Sequence, residues 1–423
     1  MERKGIQFDP LIIALYLIFA VMGWMTIFAV TSAESGREIW NFGSIHGKQL
    51  IWIGVSVLLA GMILLLDKRL FEAVSYLAYA AAMLTLLIVL IAGKEVNGAK
   101  SWLVIAGQPF QPSEFAKLAT ALALAKYMSR LQFSMRDPRQ FAIAAGIVLL
   151  PIIIVILQND TGSALVFTSL IIVFFREGLN PIVPIFVFFA GTVGVLTLWL
   201  EEPGYISLAL AVLAVITYRI VFHRRNWLRL AIIHLLALGF FVGLSFSTNM
   251  LVSKLQPHQQ IRLKVLFDPS IDSQGAGYNV IQSKIAIGSG GDWGKGYLKG
   301  QYTKYKFVPK QETDFIFCTV GEELGWAGSS LVLLLFLGLL MRMQFLAEGA
   351  KTLYARIYGY SVMSIVFFHV LVNVGMTIGL VPVIGIPLPF FSYGGSSLLA
   401  FTMMIFILVN LYGNRGTVLG SKM

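Results

Sequence analysis

Two charged side chains stand three positions apart at the start of an apolar segment. Glu114 and Lys117 follow Pro112, and a proline and an acid both favour the first turn of a helix. Residues three apart share one helix face, so this carboxylate and this ammonium can pair. A charge within a bilayer costs about 2.5–3.5 kcal/mol and usually marks a functional site. The sequence therefore predicts either a site at Glu114 and Lys117 or an ion pair that closes the mouth of the helix.

A second polar group, residues 158–163, precedes another apolar segment. Either Asp160 or Thr161 would serve as the N-cap of the following helix. Alternatively, Asp160 could pair with Lys117 or shape a polar pocket.

A long segment, residues 249–325, mixes acidic and basic side chains. Its main candidate carboxylates are Asp268, Asp272, Asp292, Glu312, Asp314, Glu322 and Glu323. A carboxylate can accept a proton from a hydroxyl group, and cations can stabilise a departing phosphate. The presence of both kinds of side chain therefore suggests group-transfer chemistry. Most exposed acids in loops interact only with water, however, so the sequence does not identify which carboxylate would perform it.

Several other chemistries lack their required patterns. The glycine-rich stretch 288–295 is not a nucleotide-binding loop, because Ser289 replaces the first glycine and Gly296 replaces the final Ser or Thr. We interpret its glycines as tight turns. The five histidines show no zinc-type spacing, and Cys318 is the only cysteine, which excludes an internal disulfide. No metal ligands are assigned.

The composition indicates which elements must position these residues. Of the 423 residues, 57% are hydrophobic and 13% are charged, whereas a soluble domain usually has about 25% charged residues. The mean hydropathy is +0.79. These values predict a protein that crosses a membrane many times. The formal charge of +11 is then attributed to Lys and Arg in cytoplasmic loops, not to nucleic-acid binding.

Twelve apolar segments could each form a membrane-spanning helix, for which about 20 residues are needed. They lie at 11–30, 48–66, 70–92, 112–129, 140–157, 162–175, 181–200, 205–222, 228–248, 326–345, 356–380 and 396–412. The fourth and sixth segments are short, so we expect them to be tilted, broken or partly re-entrant. The fold class predicted is an all-α transmembrane bundle of about 12 spans, forming one domain over residues 1–423.

The distribution of basic residues predicts the orientation. If the N-terminus is cytoplasmic, every inner loop contains Lys or Arg, whereas the short outer loops contain only Arg37, Lys48, Lys94 and Lys100. This bias predicts that both termini are cytoplasmic and that residues 249–325 are extracytoplasmic, since long translocated loops escape the rule. Loops of this length are usually functional or disordered, and apolar and aromatic stretches predict a folded loop with short helices on the membrane. The polar candidates then face outward, which excludes intracellular nucleotides as direct fuel.

Residues 373–397, rich in Gly and Pro, resemble the signature of the SEDS family (shape, elongation, division and sporulation). Further stretches that match the family are 111–114, 158–162, 277–278, 281–283, 285–291, 313–317 and 322–325. Among the members of the family, the elongation member has the most similar sequence at residues 375–379 and 386–389. It also shares the order of residues 294–296 ahead of residues 307–309.

The resemblance implies a peptidoglycan glycosyltransferase that polymerises lipid II on the outer face of the bacterial cytoplasmic membrane during cell elongation, by an inverting mechanism. It implies that Asp272 is the catalytic base, with Asp268 as the alternative. The residues expected to bind substrate or pyrophosphate, or to support the site, are Lys117, Glu114, Asp160, Arg262, Gln111, Ser392, Gly394 and Gly395. Undecaprenyl pyrophosphate would be the leaving group, and a divalent cation, Mg or Mn, could assist.

The resemblance also implies partners, and the sequence departs from the family pattern in two respects. The partners would be a class B penicillin-binding protein, which is a transpeptidase, and the elongation machinery. The family commonly has ten spans, so we interpret residues 181–222 as an inserted helical pair. Prolines common in the family are replaced by Asn159 and Ser273, which would loosen the backbone locally.

Two rival hypotheses remain open. A lipid II flippase would explain charges within the membrane and short, broken spans. It would, however, need polar residues accessible from both sides, whereas the polar candidates collect on one side. A scaffold without chemistry that recruits a transpeptidase is the third hypothesis.

Overall fold

A computed structural model gives the fold for residues 8–35, 38–96, 98–105, 107–200, 202–221, 226–272 and 274–413. The first and last residues of the chain, which are predicted to be cytoplasmic, lie outside these ranges, as does Ser273.

Ten helices in the described part of the chain are long and apolar enough to cross a bilayer. They are α1 (Pro10–Ser35), α2 (Ile45–Leu65), α3 (Lys68–Ala92), α5 (Pro138–Leu157), α8 (Ile182–Leu200), α9 (Pro203–Val221), α10 (Trp227–Ser253), α14 (Ile316–Glu348), α15 (Leu353–Thr377) and α16 (Gly395–Gly413). The chain is therefore a multi-pass membrane protein, and the predicted helical bundle is confirmed.

The two segments predicted to be short are also helical. Helix α4 (Pro112–Met128) has 17 residues and is buried along almost its whole length. The sixth segment is broken into α6 (Thr161–Thr168) and α7 (Ile171–Arg176). All twelve predicted segments thus correspond to helical structure, although only ten have the length of a full span, so the predicted count of about 12 is approximate.

The chain forms two compact units. One unit contains residues 1–178 and 278–423, and within it α4 packs against α3 and α15. The other unit contains residues 179–277 and has its own core of Val193, Ile206, Leu210 and Phe241. Helices α8 and α9 of this second unit are the residues interpreted as an inserted pair, and their status as an insertion stays a prediction.

A small antiparallel sheet, which the sequence analysis did not predict, connects α3 to α4. Its strands are β1 (Lys94–Val96), β2 (Ala99–Ile105) and β3 (Gln108–Phe110), in the order β1-β2-β3. The register pairs Lys94 with Trp102 and Leu103 with Phe110. The N–H of Lys100 donates to the carbonyl of Gln158 at 2.9 Å, so the sheet is attached to the turn that precedes α6.

The helices on either side of the long polar segment extend into it, because α10 ends at Ser253 and α14 begins at Ile316. Residues 254–315 therefore connect these two helices, and the extracytoplasmic loop over residues 249–325 stays a prediction. The segment contains α11 (Pro257–Val265), a 3-10 helix (Pro269–Asp272), α12 (Ala276–Ser289) and α13 (Gln301–Lys304). The expected short helices are present, and their location on the membrane surface stays a prediction.

Helix α14 is interrupted at Gly325, whose φ of 67° and ψ of −161° are not helical. The glycine-rich turn after α12 supplies hydrogen bonds at this break. The N–H of Lys295 donates to the carbonyl of Glu322 at 3.0 Å, and the N–H of Trp326 donates to the carbonyl of Gly291 at 2.9 Å. Gly291, like Gly294 and Gly296, has a positive φ, in agreement with the interpretation of this stretch as tight turns.

Candidate functional site

The predicted ion pair of α4 is formed and deeply buried. Lys117 Nζ lies 2.7 Å from Glu114 Oε1, and the two side chains are 0% and 2% exposed. The other oxygen of Glu114, Oε2, is buried without a hydrogen-bond partner. A buried polar atom is normally satisfied, so Glu114 is incompletely hydrogen-bonded by the described residues.

The remaining protons of the Lys117 ammonium also face groups of the protein. Nζ lies 2.8 Å from Nε2 of His369 on α15 and 5.5 Å from the centroid of the Phe401 ring on α16. In this arrangement Lys117 offers no N–H to a ligand. A direct contact between Lys117 and a phosphate would require the release of one of these partners.

Asp160 is the N-cap of α6, as one of the alternatives predicted, and no pairing with Lys117 is found in the described structure. Its Oδ1 accepts a hydrogen bond from the N–H of Ser163 at 3.0 Å, which makes it the N-cap of α6. Its Oδ2 accepts hydrogen bonds from the Ser163 hydroxyl at 2.8 Å and from Nε2 of Gln111 at 3.2 Å. Asp160 therefore connects the starts of α4 and α6.

The start of α16 meets the same polar group. The N–H of Gln111 donates to the Ser396 hydroxyl at 3.3 Å, and the hydroxyls of Ser113 and Ser163 are 3.3 Å apart. The N-termini of α4, α6 and α16 thus converge. Each helix N-terminus carries a partial positive charge, and the Asp160 carboxylate, which accepts from the N–H of Ser163, is the anionic group that this convergence already holds.

Ser392, Gly394 and Gly395 hold the connection between α15 and α16. The Ser392 hydroxyl donates to the carbonyl of Thr313 at 2.6 Å and accepts from the N–H of Leu388 at 2.8 Å. The N–H of Gly394 donates to Gln49 Oε1 at 3.4 Å. A Cβ at Gly395 would lie 2.4 Å from the Trp52 ring. In the described structure these three residues hold the scaffold around the polar group.

Asp272, Asp268 and Arg262 belong to the unit of residues 179–277, whereas the other predicted site residues belong to the other unit. Asp272 ends the 3-10 helix and is half-buried, and its Oδ2 accepts a hydrogen bond from the N–H of Ala276 at 2.6 Å. A Cβ at Gly277 would lie 2.0 Å from the carbonyl oxygen of Pro269. Only glycine therefore permits the turn that carries Asp272.

The alternative base, Asp268, is exposed and is engaged in its own turn. Its Oδ1 accepts hydrogen bonds from the hydroxyl of Ser270 at 2.6 Å and from the N–H of Ser270 at 3.0 Å. These bonds hold the pKa of Asp268 below its usual value. Asp268 therefore holds its own turn, and the choice between Asp272 and Asp268 as the base stays a prediction.

Arg262 lies in α11, where it faces His258. Burial lowers the pKa of His258, and the positive charge of Arg262 lowers it further. The pair thus places one permanent cation and one mostly neutral imidazole on the helix that precedes the Asp272 turn.

His369 contacts the predicted site residue Lys117, although the sequence analysis did not select it. The histidines were dismissed because they lack metal-ligand spacing, yet His369 lies within an apolar segment and is fully buried. An ionisable side chain within such a segment is itself a signal of function. His369 also lies one helical turn before Asn373, the first residue of the stretch that resembles the SEDS signature.

No protein ligand set for the expected divalent cation is found in the described part of the chain. Within those residues, no group of three or more His, Cys, Asp or Glu side chains could hold a metal ion. The involvement of Mg or Mn stays a prediction.

The similarity to known proteins covers nearly the whole chain. A family model described as "Cell cycle protein", which covers FtsW, RodA and SpoVE, matches residues 9–214 and 206–416. The peptidoglycan glycosyltransferase RodA of Treponema pallidum is 33% identical, with coverage of 94% of this chain and 96% of that protein. The peptidoglycan glycosyltransferase MrdB of Escherichia coli K12 is 30% identical, with coverage of 97% and 95%.

Solved structures share the fold. A chain of a peptidoglycan synthase complex, solved in work on the coordination of polymerization and crosslinking, aligns with a TM-score of 0.69 and 27% identity over 97% of this chain and 99% of that chain. The rod shape determining protein RodA of Thermus thermophilus aligns with a TM-score of 0.62 and 25% identity, with coverage of 97% and 98%. The chain therefore belongs to the FtsW/RodA/SpoVE family, which is the SEDS family that its motifs resemble.

Proposed function

We propose that this protein is a peptidoglycan glycosyltransferase that polymerises lipid II into glycan strands during cell elongation. The observation that carries the proposal is family membership over nearly the full length, with relatives at 33% and 30% identity that are named peptidoglycan glycosyltransferases. The buried charges of Glu114 and Lys117 and the polar group at three helix starts also support the proposal, because such groups can take part in glycosyl transfer.

The reaction is a single displacement with Asp272 as the base. Asp272 takes the proton from the 4-hydroxyl of the acceptor's N-acetylglucosamine, and that oxygen attacks the anomeric carbon of the donor's N-acetylmuramic acid. The bond between this carbon and the pyrophosphate oxygen breaks, and undecaprenyl pyrophosphate leaves. One base suffices because a single displacement inverts the configuration of the linkage. Half-burial and one carboxylate oxygen without a hydrogen bond in the described structure suit Asp272 to this step.

The leaving group carries negative charge, which needs stabilisation. The partial positive charge of the N-termini of α4 and α16 supports a pyrophosphate position near Gln111 and Ser396. Direct donation by Gln111 would require the release of its hydrogen bonds to Ser396 and Asp160. Arg262 is a further cation that we propose for this role, because its guanidinium carries a permanent positive charge. Lys117 contributes through the charge of a buried pair, because its N–H groups are already engaged.

We place the reaction on the outer face of the bacterial cytoplasmic membrane, with both termini inside. The distribution of Lys and Arg supports this orientation. A class B penicillin-binding protein is the proposed partner, which the similarity to a chain of a peptidoglycan synthase complex supports. The proposed steps use side chains of this protein alone and include none that requires a metal.

The test is polymerisation of fluorescently labelled lipid II by the purified protein in detergent or nanodiscs. We expect Asp272→Asn to lower the rate by about 10²–10⁴-fold, as loss of a general base does. Asp268→Asn is the matched comparison, because it removes a neighbouring carboxylate that caps its own turn. The two rates are compared only if both variants have the same unfolding temperature as the wild type, which shows that they are folded. The assignment of the base is wrong if Asp268→Asn abolishes the rate and Asp272→Asn does not.

The same preparation distinguishes the rival functions. Transfer of lipid II across a vesicle bilayer without polymer would favour the flippase. Neither polymer nor transfer, together with stable binding of a transpeptidase, would favour the scaffold.

A further inference from the structure

His369 joins three elements of the unit that holds Glu114 and Lys117, although it lies far from both in sequence. It is fully buried on α15. Its Nε2 is 2.8 Å from Lys117 Nζ on α4, and its Nδ1 is 3.0 Å from the carbonyl oxygen of Pro387. Pro387 lies in the connection from α15 to α16, within the family signature.

These two contacts determine which nitrogen carries the proton. A carbonyl oxygen only accepts hydrogen bonds, so Nδ1 must be the donor to Pro387. A lysine ammonium only donates, so Nε2 must present its lone pair to Lys117. The two contacts together are satisfied by one neutral tautomer of His369. Protonation of Nε2 would remove the acceptor and would set two cations in contact.

The charged groups around His369 can be named from each packed element. Helix α4 supplies Lys117 and Glu114, which are paired at 2.7 Å. Helix α16 supplies the uncharged ring of Phe401, whose centroid lies 4.9 Å from that of the imidazole in an edge-to-face contact. The connection supplies the neutral carbonyl of Pro387. The Lys117 ammonium therefore has two acceptors, the charged carboxylate of Glu114 and the neutral imidazole of His369.

We propose that His369 is a positioning residue for Lys117, which it holds at a fixed place relative to the signature connection. It acts in the glycosyl transfer proposed above, and this part of the inference depends on that function. The coupling between His369 and Lys117 does not depend on it. Loss of the Nε2 acceptor would leave one ammonium proton unsatisfied in a buried site and would allow the charge of Lys117 to move.

The first test compares two replacements of His369 that separate packing from hydrogen bonding. His369→Phe keeps a planar ring against Phe401 and removes both nitrogens. His369→Gln loses the ring but keeps an acceptor for Lys117 and a donor for Pro387. We expect His369→Phe to lower kcat for lipid II polymerisation about 100-fold, the loss that a misplacement of about 1 Å can cause. We expect its KM to change little and His369→Gln to retain most of the wild-type kcat. The opposite order, with Phe tolerated better than Gln, would mean that His369 only fills space.

The second test needs no activity. Thermal unfolding midpoints of His369→Phe, Lys117→Met and the double variant form a cycle that measures the coupling of the two residues. We expect the double variant to lose clearly less than the sum of the two single losses, because each single change leaves the other group without its partner.

Asn373 provides the control for this cycle. It lies one turn further along α15 and donates to the carbonyl of Ile386 at 2.8 Å, so it holds the same connection without contacting Lys117. We expect Asn373→Leu and Lys117→Met to be additive. Additivity of His369→Phe and Lys117→Met would overturn the proposal. If the wild type does not polymerise lipid II while the cycle shows coupling, the proposed function fails and the positioning of Lys117 by His369 stands.

Discussion

The buried carboxylates of Glu114 and Glu322 differ in how completely they are satisfied. Glu322 accepts hydrogen bonds from the N–H of Tyr302 at 2.9 Å, from the N–H and hydroxyl of Thr303 at 2.7 Å each, and from Lys295 Nζ at 3.2 Å. Glu114 has one ion-pair partner and an unpaired oxygen. A fully satisfied buried carboxylate holds the groups that donate to it in place, whereas an incompletely satisfied one holds fewer of its neighbours.

We therefore predict that Glu322→Leu destabilises the protein by about 3–5 kcal/mol, the usual effect of removing one partner of a buried charged network. The loss would fall on the attachment of residues 295–303 to α14. Thermal unfolding in detergent micelles measures it.

Glu348→Gln is the matched control on the same helix. Glu348 pairs with Arg176 at 2.8 Å, but both side chains are about 40% exposed, so its removal should cost about 1 kcal/mol or less. Equal losses for the two variants would contradict the difference in satisfaction described here.

Asn159 shows how one residue type fits one backbone conformation. The sequence analysis expected the absence of a family proline at this position to loosen the backbone. The structure instead gives Asn159 a φ of 61° and uses its N–H as a donor to the carbonyl of Ile156 at 2.9 Å. Proline cannot adopt this φ and has no N–H. Asparagine tolerates the left-handed region better than most residues.

We predict that Asn159→Pro destabilises the protein by about 3 kcal/mol or more, since it removes the hydrogen bond and forbids the native φ. Asn159→Gly should be close to the wild type, because glycine adopts positive φ without steric cost. Chemical unfolding of both variants checks this. A stable Asn159→Pro variant would mean that the left-handed turn before Asp160 is dispensable.

At the scale of elements, the interruption of α14 depends on glycine. Gly325 has a φ of 67°, and a Cβ placed on it would lie 2.3 Å from the backbone nitrogen of Gly294. The clash is with backbone, which cannot rotate away as a side chain can. The glycine turn and the helix break therefore form one structure that requires small residues on both sides.

We predict that Gly325→Ala lowers the unfolding temperature, with about 1–3 kcal/mol from backbone strain alone and a further loss from the clash. Gly338→Ala, in the same helix, is the control. Nothing lies within 4 Å of a Cβ at Gly338, so alanine there should be neutral or slightly stabilising. Should the two alanines behave alike, the break in α14 is not fixed by Gly325.

Hydrophobicity predicted most helices of this fold because lipid imposes helical structure on long apolar segments. It located the ends of α10 and α14 poorly. Residues 316–324 are helical and largely buried although they include Glu322 and Glu323, since tertiary hydrogen bonds satisfy those charges. Strands β1 and β3 were missed because each has only three residues, mostly exposed, and thus carries no periodic signal.

The site was predicted only where its residues are neighbours in sequence. Glu114 and Lys117 are one turn apart, so their pairing followed from helix geometry. The contact between Lys117 and His369 joins residues 252 positions apart. Local spacing contains no information about such a contact, which arises when α4 packs against α15.

At the scale of the whole molecule, the orientation in the membrane can be tested with thiol labelling. Cys318 is the only cysteine and is fully buried, so the wild type should react little with a polar maleimide. Gln301, in the segment between α10 and α14, and Gln132, between α4 and α5, are both exposed. Each can therefore carry a single introduced cysteine without removal of the native one.

We predict that Gln301→Cys reacts with a membrane-impermeant maleimide in intact cells, whereas Gln132→Cys reacts only after the membrane is permeabilised. The physical reason is the excess of Lys and Arg in the loop that contains Gln132. Labelling of Gln132→Cys in intact cells, with Gln301→Cys protected, would reverse the topology and remove the proposed reaction from the outer face.

The meeting of three helix starts has a consequence for inhibition. The partial positive charge at the starts of α4, α6 and α16 comes from peptide groups, which are the same whatever side chains the helices carry, and at α6 it faces the Asp160 carboxylate. With pyrophosphate bound at the position proposed above, a compound that mimics it would accept hydrogen bonds from these peptide groups. Substitution of a single side chain would leave those hydrogen bonds in place. Resistance would have to arise from a change in how the helices begin, and such changes also disturb the caps at Gln111 and Asp160.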